Sequence, residues 1–317
     1  MKKTFTLLVT VLLLFAVPFG ALAAGEEKIV AKGIDVSSSG QGGKTDFQKV
    51  KSSGIDFVIL AAGFSGNGKG DKPSTDTSTP PTVPSTYFEK DYANAEKAGL
   101  KIGIYYYSYA QNTAEAICDA KDVLRFIKGK KIEYPIYYDL EDRTIRGLSK
   151  QKLTEIALAF TTEIQKAGYM AGIYASLDWF ETKLDYNTLS TNCEIWLAQW
   201  NSSHNLSCGL WQYSDTGKVG GISGNVDLNY AYRDYPTLIR LKGLNGFAKN
   251  IYRHAAEKQD INCDDELNLK DAVLLARYTA GQSNLELNES VVSYNGSGAP
   301  ANLKNVVELV RRLLAQN

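Results

Sequence analysis

Tyr134-Pro-Ile-Tyr-Tyr-Asp-Leu-Glu141 is the stretch on which the fold turns. A short apolar and aromatic run follows Pro135 and ends in two acids, the pattern of a buried β-strand with a polar exit. Asp139 and Glu141 are two residues apart, so on an extended backbone they leave the same side, roughly 6–7 Å from each other along the chain. Similar strand-like runs recur at 31–37, 57–63, 101–109, 170–175, 194–200, 210–214 and 225–230. Helical patterns fill the early gaps at 47–52, 87–98, 114–127 and 152–167. The last carries Leu153, Ile156, Ala157, Phe160 and Ile164 on one face and stops at Gly168. Strand alternating with helix predicts a parallel sheet, and eight strands predict an α/β barrel of the TIM type, irregular where the last three strands follow one another without clear helices.

In such a barrel the chemistry sits at the C-terminal ends of the strands. Asp139 and Glu141 end the fourth strand. Asp35 ends the first in Gly33-Ile-Asp-Val-Ser37, and Asp227 lies in the last, in Asn225-Val-Asp-Leu-Asn-Tyr230. First and last strands of a closed barrel are neighbours, so the four acids are expected to converge. Crowded carboxylates resist joint ionisation, which keeps one protonated beside another that is charged. That combination suits glycosidic cleavage. A divalent-metal site, or acids in solvated loops, are the competing readings of the same residues. Tyr105 and Tyr107 alternate on the third strand, Tyr137 shares a face with Asp139, Trp196 and Trp200 bracket Gln199, and Trp211-Gln212-Tyr213 follows. Together they predict a cleft lined for carbohydrate, with Tyr105, Tyr107, Tyr137, Trp196, Gln199 and Gln212 as its contacts.

The composition narrows the field further. Among 317 residues the 35 Lys and Arg balance 35 Asp and Glu, which argues against a nucleic-acid binder. Only two histidines occur, His204 and His254, so a three-histidine zinc site is impossible. Lys2 and Lys3, an apolar run from Leu7 to Val17 and Ala21-Leu-Ala23 predict a signal peptide over 1–23, hence a secreted, cell-wall-associated protein with no membrane span after its removal. The segment 64–86 is mostly Gly, Pro, Ser and Thr and reads as a mobile loop beside the cleft or as an inert surface insertion.

The motifs Gly33-Ile-Asp-Val-Ser, Tyr134-Pro-Ile-Tyr-Tyr-Asp-Leu-Glu, Ile195-Trp-Leu-Ala-Gln-Trp, Trp211-Gln-Tyr and Asn225-Val-Asp-Leu-Asn-Tyr resemble the glycoside hydrolase family 25 lysozymes, in order over residues 30–235. The resemblance implies an irregular β/α barrel that needs no cofactor for catalysis. It implies cleavage of the β-1,4 bond between N-acetylmuramic acid and N-acetylglucosamine in peptidoglycan. Glu141 would protonate the leaving oxygen, Asp139 would steady the substrate's N-acetyl group, and Asp35 and Asp227 would tune the cluster and hold the sugar. The 64–86 loop is longer than the family's usual connection, so it bears on fine specificity. A peptidoglycan-binding protein without turnover is the rival, and retention of both Asp139 and Glu141 favours the enzyme. In the barrel reading Cys193 and Cys208 fall at the bottom of adjacent strands, where a disulfide and two free thiols are both open.

After residue 235 the strand pattern ends. Residues 236–255 read as a linker and 256–317 as a small all-α domain, because Leu269-Lys-Asp-Ala-Val and Arg277 recur as Leu303-Lys-Asn-Val-Val and Arg311 at a period of 34. Asp260, Asn262, Asp264, Asn268 and Asp271 fall at positions 1, 3, 5, 9 and 12 of a loop with EF-hand spacing, which predicts one bound calcium. The second copy, 293–305, lacks carboxylates. This loop–helix pair resembles a dockerin, which implies a cohesin-bearing scaffold as partner.

Overall fold

The structure is a computed structural model and describes residues 28–65, 84–247, 261, 267–282 and 302–315. The predicted signal peptide, most of the 64–86 loop and half of the 260–271 calcium loop lie outside the described residues.

Eight strands close a barrel in sequential order: β1 (Ala31–Val36), β2 (Phe57–Phe64), β3 (Lys101–Tyr107), β4 (Ile136–Asp139), β5 (Ala171–Ser176), β6 (Glu194–Ala198), β7 (Leu210–Gly217) and β8 (Val226–Ala231). Helices α1 (Phe47–Ser52), α2 (Phe88–Lys97), α3 (Thr113–Phe126) and α4 (Lys150–Lys166) intervene, followed by the short α5 (Leu177–Thr182) and α6 (Tyr186–Asn192). The starts of α3 and α4 are set by side chains: Asn112 accepts from Glu115 N, and Ser149 from Lys152 N. Strands such as β2 and β4 are buried on nearly every residue because helices cover one face and the lumen fills the other.

β1 to β7 run parallel, but β8 is antiparallel to both of its neighbours. The expectation of a parallel sheet fails there for a simple reason. Only residues 218–225 join β7 to β8, too few for the crossover that a parallel pair requires. The reversal matters to the site. It brings the N-terminal end of β8, where Asp227 sits, to the face where the other strands end, and pairs Asp227 with Asp35 across the β1–β8 ladder.

The stretch predicted as linker departs from that reading. A further helix, α7 (Tyr235–Lys242), caps its start with Asp234 and stops at the left-handed Gly243. Its Tyr235, Leu238 and Ile239 join Phe57, Tyr134, Met170 and Leu210 in the inner core of the barrel. Asn245, itself left-handed at φ 57°, is buried; it accepts from Met170 N and donates to the carbonyls of Ile132 and Tyr134. Residues 235–247 therefore plug the bottom of the barrel. The repeat region contributes α8 (Leu269–Thr279) and α9 (Leu303–Ala315), whose Ala272, Leu275, Ala276, Val306 and Leu309 share one apolar cluster with Ile261 and Leu241. No helix among the described residues is long and apolar enough to cross a membrane.

Candidate active site

Because the bottom is plugged and the lumen is packed with aromatic rings, the acids can meet only at the other end. There a cleft of about 260 Å³ is lined by Asp35, Ser37, Ser39, Tyr105, Tyr107, Asp139, Glu141, Tyr174, Trp196, Gln212 and Asp227. All four carboxylates anticipated from the sequence reach it, as do Tyr105, Tyr107, Trp196 and Gln212. Strand geometry explains the placement. On β4 the outward Tyr138 stacks on Phe160 of α4 with centroids 3.9 Å apart, so Tyr137 and Asp139 on either side of it point inward. Glu141 follows two residues past the strand end.

Two predicted contacts do not line the cleft. Tyr137 lies one layer below Asp139 in the lumen, fully buried, beside Trp196 and over Gly172, where a Cβ would stand 2.5 Å from the tyrosine ring. Sharing a face with Asp139 put it in the barrel, not at the mouth. Gln199 turns its amide to Asn205: Nε2 donates to Asn205 Oδ1 at 2.9 Å, and Oε1 accepts from Asn205 N at 2.9 Å. Two residues without a predicted role complete the site. Tyr174, the register partner of Asp139 on β5, donates to Gln212 Oε1 at 3.1 Å. Asn229, two residues past Asp227, donates to Asp35 Oδ1 at 2.7 Å and accepts from Trp196 Nε1 at 2.8 Å. The parity argument that pairs Asp139 with Glu141 also pairs Asp227 with Asn229.

The electrostatics follow from burial and crowding. Burial raises Asp35, opposed by the amides of Asn229 and of Gln212, the latter donating at 3.0 Å. Asp227 is pushed up to about 8 by burial and then by the charge of Asp35, to which it donates its proton. Burial, then the charges of Glu141 and Asp35, hold Asp139 well above the ordinary carboxylate range. Its Oδ1 is buried and has no hydrogen-bond partner among the described residues. Glu141 stands at the mouth, open to solvent on one side; the protein around it, then Asp227 and Asp142, still raise its carboxyl. Asp142 goes the other way. Against the cost of burial, Thr144 and the Tyr107 hydroxyl donate to it and keep it ionised. The cluster thus holds protons at a pH where isolated carboxylates have lost them, beside a permanent negative charge at its edge.

A larger cavity of about 610 Å³ opens on the opposite face and is lined in part by Cys193 and Cys208, which form no disulfide with each other. Its one acid, Glu194, accepts two hydrogen bonds from Arg233 at 2.7 and 3.0 Å and one from Tyr235, so it offers no comparable acid–base pair. In the C-terminal region Asp271 accepts from Ile261 N at 2.7 Å and from Asn268 N at 2.8 Å. Asp260, Asn262 and Asp264 lie outside the described residues. No group of three or more His, Cys, Asp or Glu among the described residues is placed to hold a metal.

Residues 34–222, more than half of the chain, match the family model of glycosyl hydrolases family 25. The chain is 30% identical over 202 residues to the autolytic lysozyme of Clostridium acetobutylicum, covering 62% of this chain and 55% of that protein. It is 27% identical over 214 residues to lysozyme M1 of Streptomyces globisporus, covering 62% and 66%. The match thus spans between half and two thirds of each relative's length. The crystal structure of a bacterial lysozyme from Streptomyces coelicolor superposes with a TM-score of 0.52 at 25% identity, covering 69% of this chain and 97% of that one.

Proposed function

The chain belongs to glycosyl hydrolases family 25, and on that footing we propose that it is a lysozyme, cleaving the β-1,4 bond between N-acetylmuramic acid and N-acetylglucosamine in peptidoglycan. The observation that carries this reading is the meeting of Asp139 and Glu141 with Asp35 and Asp227 in one cleft. Glu141, accessible at the mouth and raised toward its acid form, donates a proton to the departing glycosidic oxygen, a contribution of about 10²–10⁴-fold. Asp139, with a buried oxygen that has no hydrogen-bond partner among the described residues, accepts from the substrate's N-acetyl nitrogen and steadies that group against the anomeric carbon. Asp35 and Asp227, sharing a proton, hold the sugar, and the negative charge at Asp227 and Asp142 favours the protonated form of Glu141. Mass analysis of fragments released from purified cell walls tests the bond assignment: reducing-end muramic acid supports it, and reducing-end glucosamine refutes it.

The same reading extends to the rest of the chain. Residues 1–23 direct export, 30–235 form the catalytic barrel together with the plug that follows, and 256–317 form a dockerin-like module that tethers the enzyme to a cohesin-bearing scaffold. In that module Asp260, Asn262, Asp264, Asn268 and Asp271 hold one calcium ion. The Ile261 N–H on the Asp271 carboxylate draws the two ends of the loop together, as a loop closing around a cation requires.

A further inference from the structure

Trp200 is 60% exposed, whereas Trp179, Trp196 and Trp211 are buried. It sits two residues past the end of β6, on the face that carries the cleft. Its indole N–H donates to Gln212 Oε1 at 3.1 Å, and Gln212 in turn lines the cleft and donates to Asp35. One edge of the indole is thus pinned to the catalytic floor while its surface stays open to solvent.

The backbone of Gln199, just before it, is held at both its N–H and its carbonyl. Gln199 N donates to Gln212 O at 3.1 Å, and Gln199 O accepts from the indole of Trp211 at 2.9 Å. The Gln199 side chain closes residues 200–205 by its two hydrogen bonds to Asn205. A ring held this rigidly loses little freedom on binding. An exposed indole face is the complement of the C–H face of a pyranose, with the sugar's hydroxyls left to the polar rim at Asn201, Ser202 and Ser203.

We infer that Trp200 is a sugar-binding platform for a ring of the glycan strand beyond the two at the scissile bond, and that Gln199 is the positioning residue that holds it. The inference rests on the glycan-cleaving reading above and adds a determinant of chain length to it. The strand would cross the mouth from the Tyr107–Glu141 side to the β6–β7 side, where the platform stands. Covering one sugar face removes enough apolar surface to change affinity by about tenfold.

The test uses the full chain carrying Glu141→Gln, so that glycan is bound without being consumed. Calorimetric titration compares a tetrasaccharide of alternating N-acetylglucosamine and N-acetylmuramic acid with the corresponding disaccharide. Adding Trp200→Ala should weaken the tetrasaccharide about tenfold and leave the disaccharide unchanged. Trp200→Phe, which keeps an aromatic face but loses the hydrogen bond, should restore most of the loss. Gln199→Ala should reproduce the length-selective defect, whereas a general loosening of the fold would weaken both ligands alike. Equal weakening of both saccharides, or no change in either, overturns the inference alone. Failure of the Glu141→Gln protein to bind either saccharide overturns it together with the substrate reading on which it rests.

Discussion

Asn229→Ala separates the proposed charge architecture from mere packing. Asn229 is 1% exposed and spends both ends of its amide: Nδ2 on Asp35 Oδ1 at 2.7 Å, and Oδ1 on the Trp196 indole at 2.8 Å. Truncation removes a hydrogen bond to a charged acceptor, about 1.5–3 kcal/mol, and strands a buried indole donor, about 1–3 kcal/mol. The sum is about 3–5 kcal/mol of stability, or on the order of 10 °C in Tm for a barrel of this size. The effect on titration has a definite sign. The amide lowers the Asp35 carboxyl against burial, so its loss raises that carboxyl further and moves the acidic limb of the activity profile to higher pH. Urea unfolding at pH 5 and 7 and a pH–rate profile on cell walls measure both effects. A stability loss below about 1 kcal/mol with an unmoved acidic limb would refute the role given to the Asn229–Asp35 bond.

Three further outcomes follow from the same structure. Asp227, pushed up to about 8, binds its proton more tightly folded than unfolded. Its stabilising contribution is therefore full below about pH 4 and lost as pH rises through 8; Asp227→Asn should flatten the fall in Tm over that window, and an unchanged slope contradicts the shift. Tyr137→Phe should leave turnover within about twofold, because the ring lies in the lumen below the cleft and donates no proton to a reacting group; a loss of an order of magnitude or more would return Tyr137 to the substrate site. Titration of the full chain with calcium should show one site and a rise in Tm, with catalysis surviving chelation; two comparable sites, none, or loss of activity in chelator each count against the assignment.

The barrel was legible in the sequence because its signals are local. The Leu153–Ile164 face, the period-2 alternation around Asp139 and the acids at strand ends all depend on neighbours in the chain. What escaped depends on distant contacts. The reversal of β8 follows from the shortness of 218–225, a length argument that residue patterns do not display. Helix α7 carries an amphipathic signal too short to stand out over eight residues, yet Tyr235 and Ile239 are held by the barrel bottom. Tyr137 and Asp139 share a face, but depth in the lumen separates them, and period-2 reasoning has no measure of depth. Gln199, expected at the cleft, turns instead to Asn205, six residues along the chain, a partner that the residue pattern does not display.

The central claim is that Glu141 supplies the proton, and Glu141→Gln tests it most directly. The substitution keeps the shape of the side chain at the mouth of the cleft and removes only the transferable proton. With binding of soluble glycan measured alongside turnover of cell walls, hydrolysis should fall by about 10²–10⁴-fold while glycan affinity stays near that of the unaltered protein. Turnover within a few fold of the unaltered protein would contradict the account.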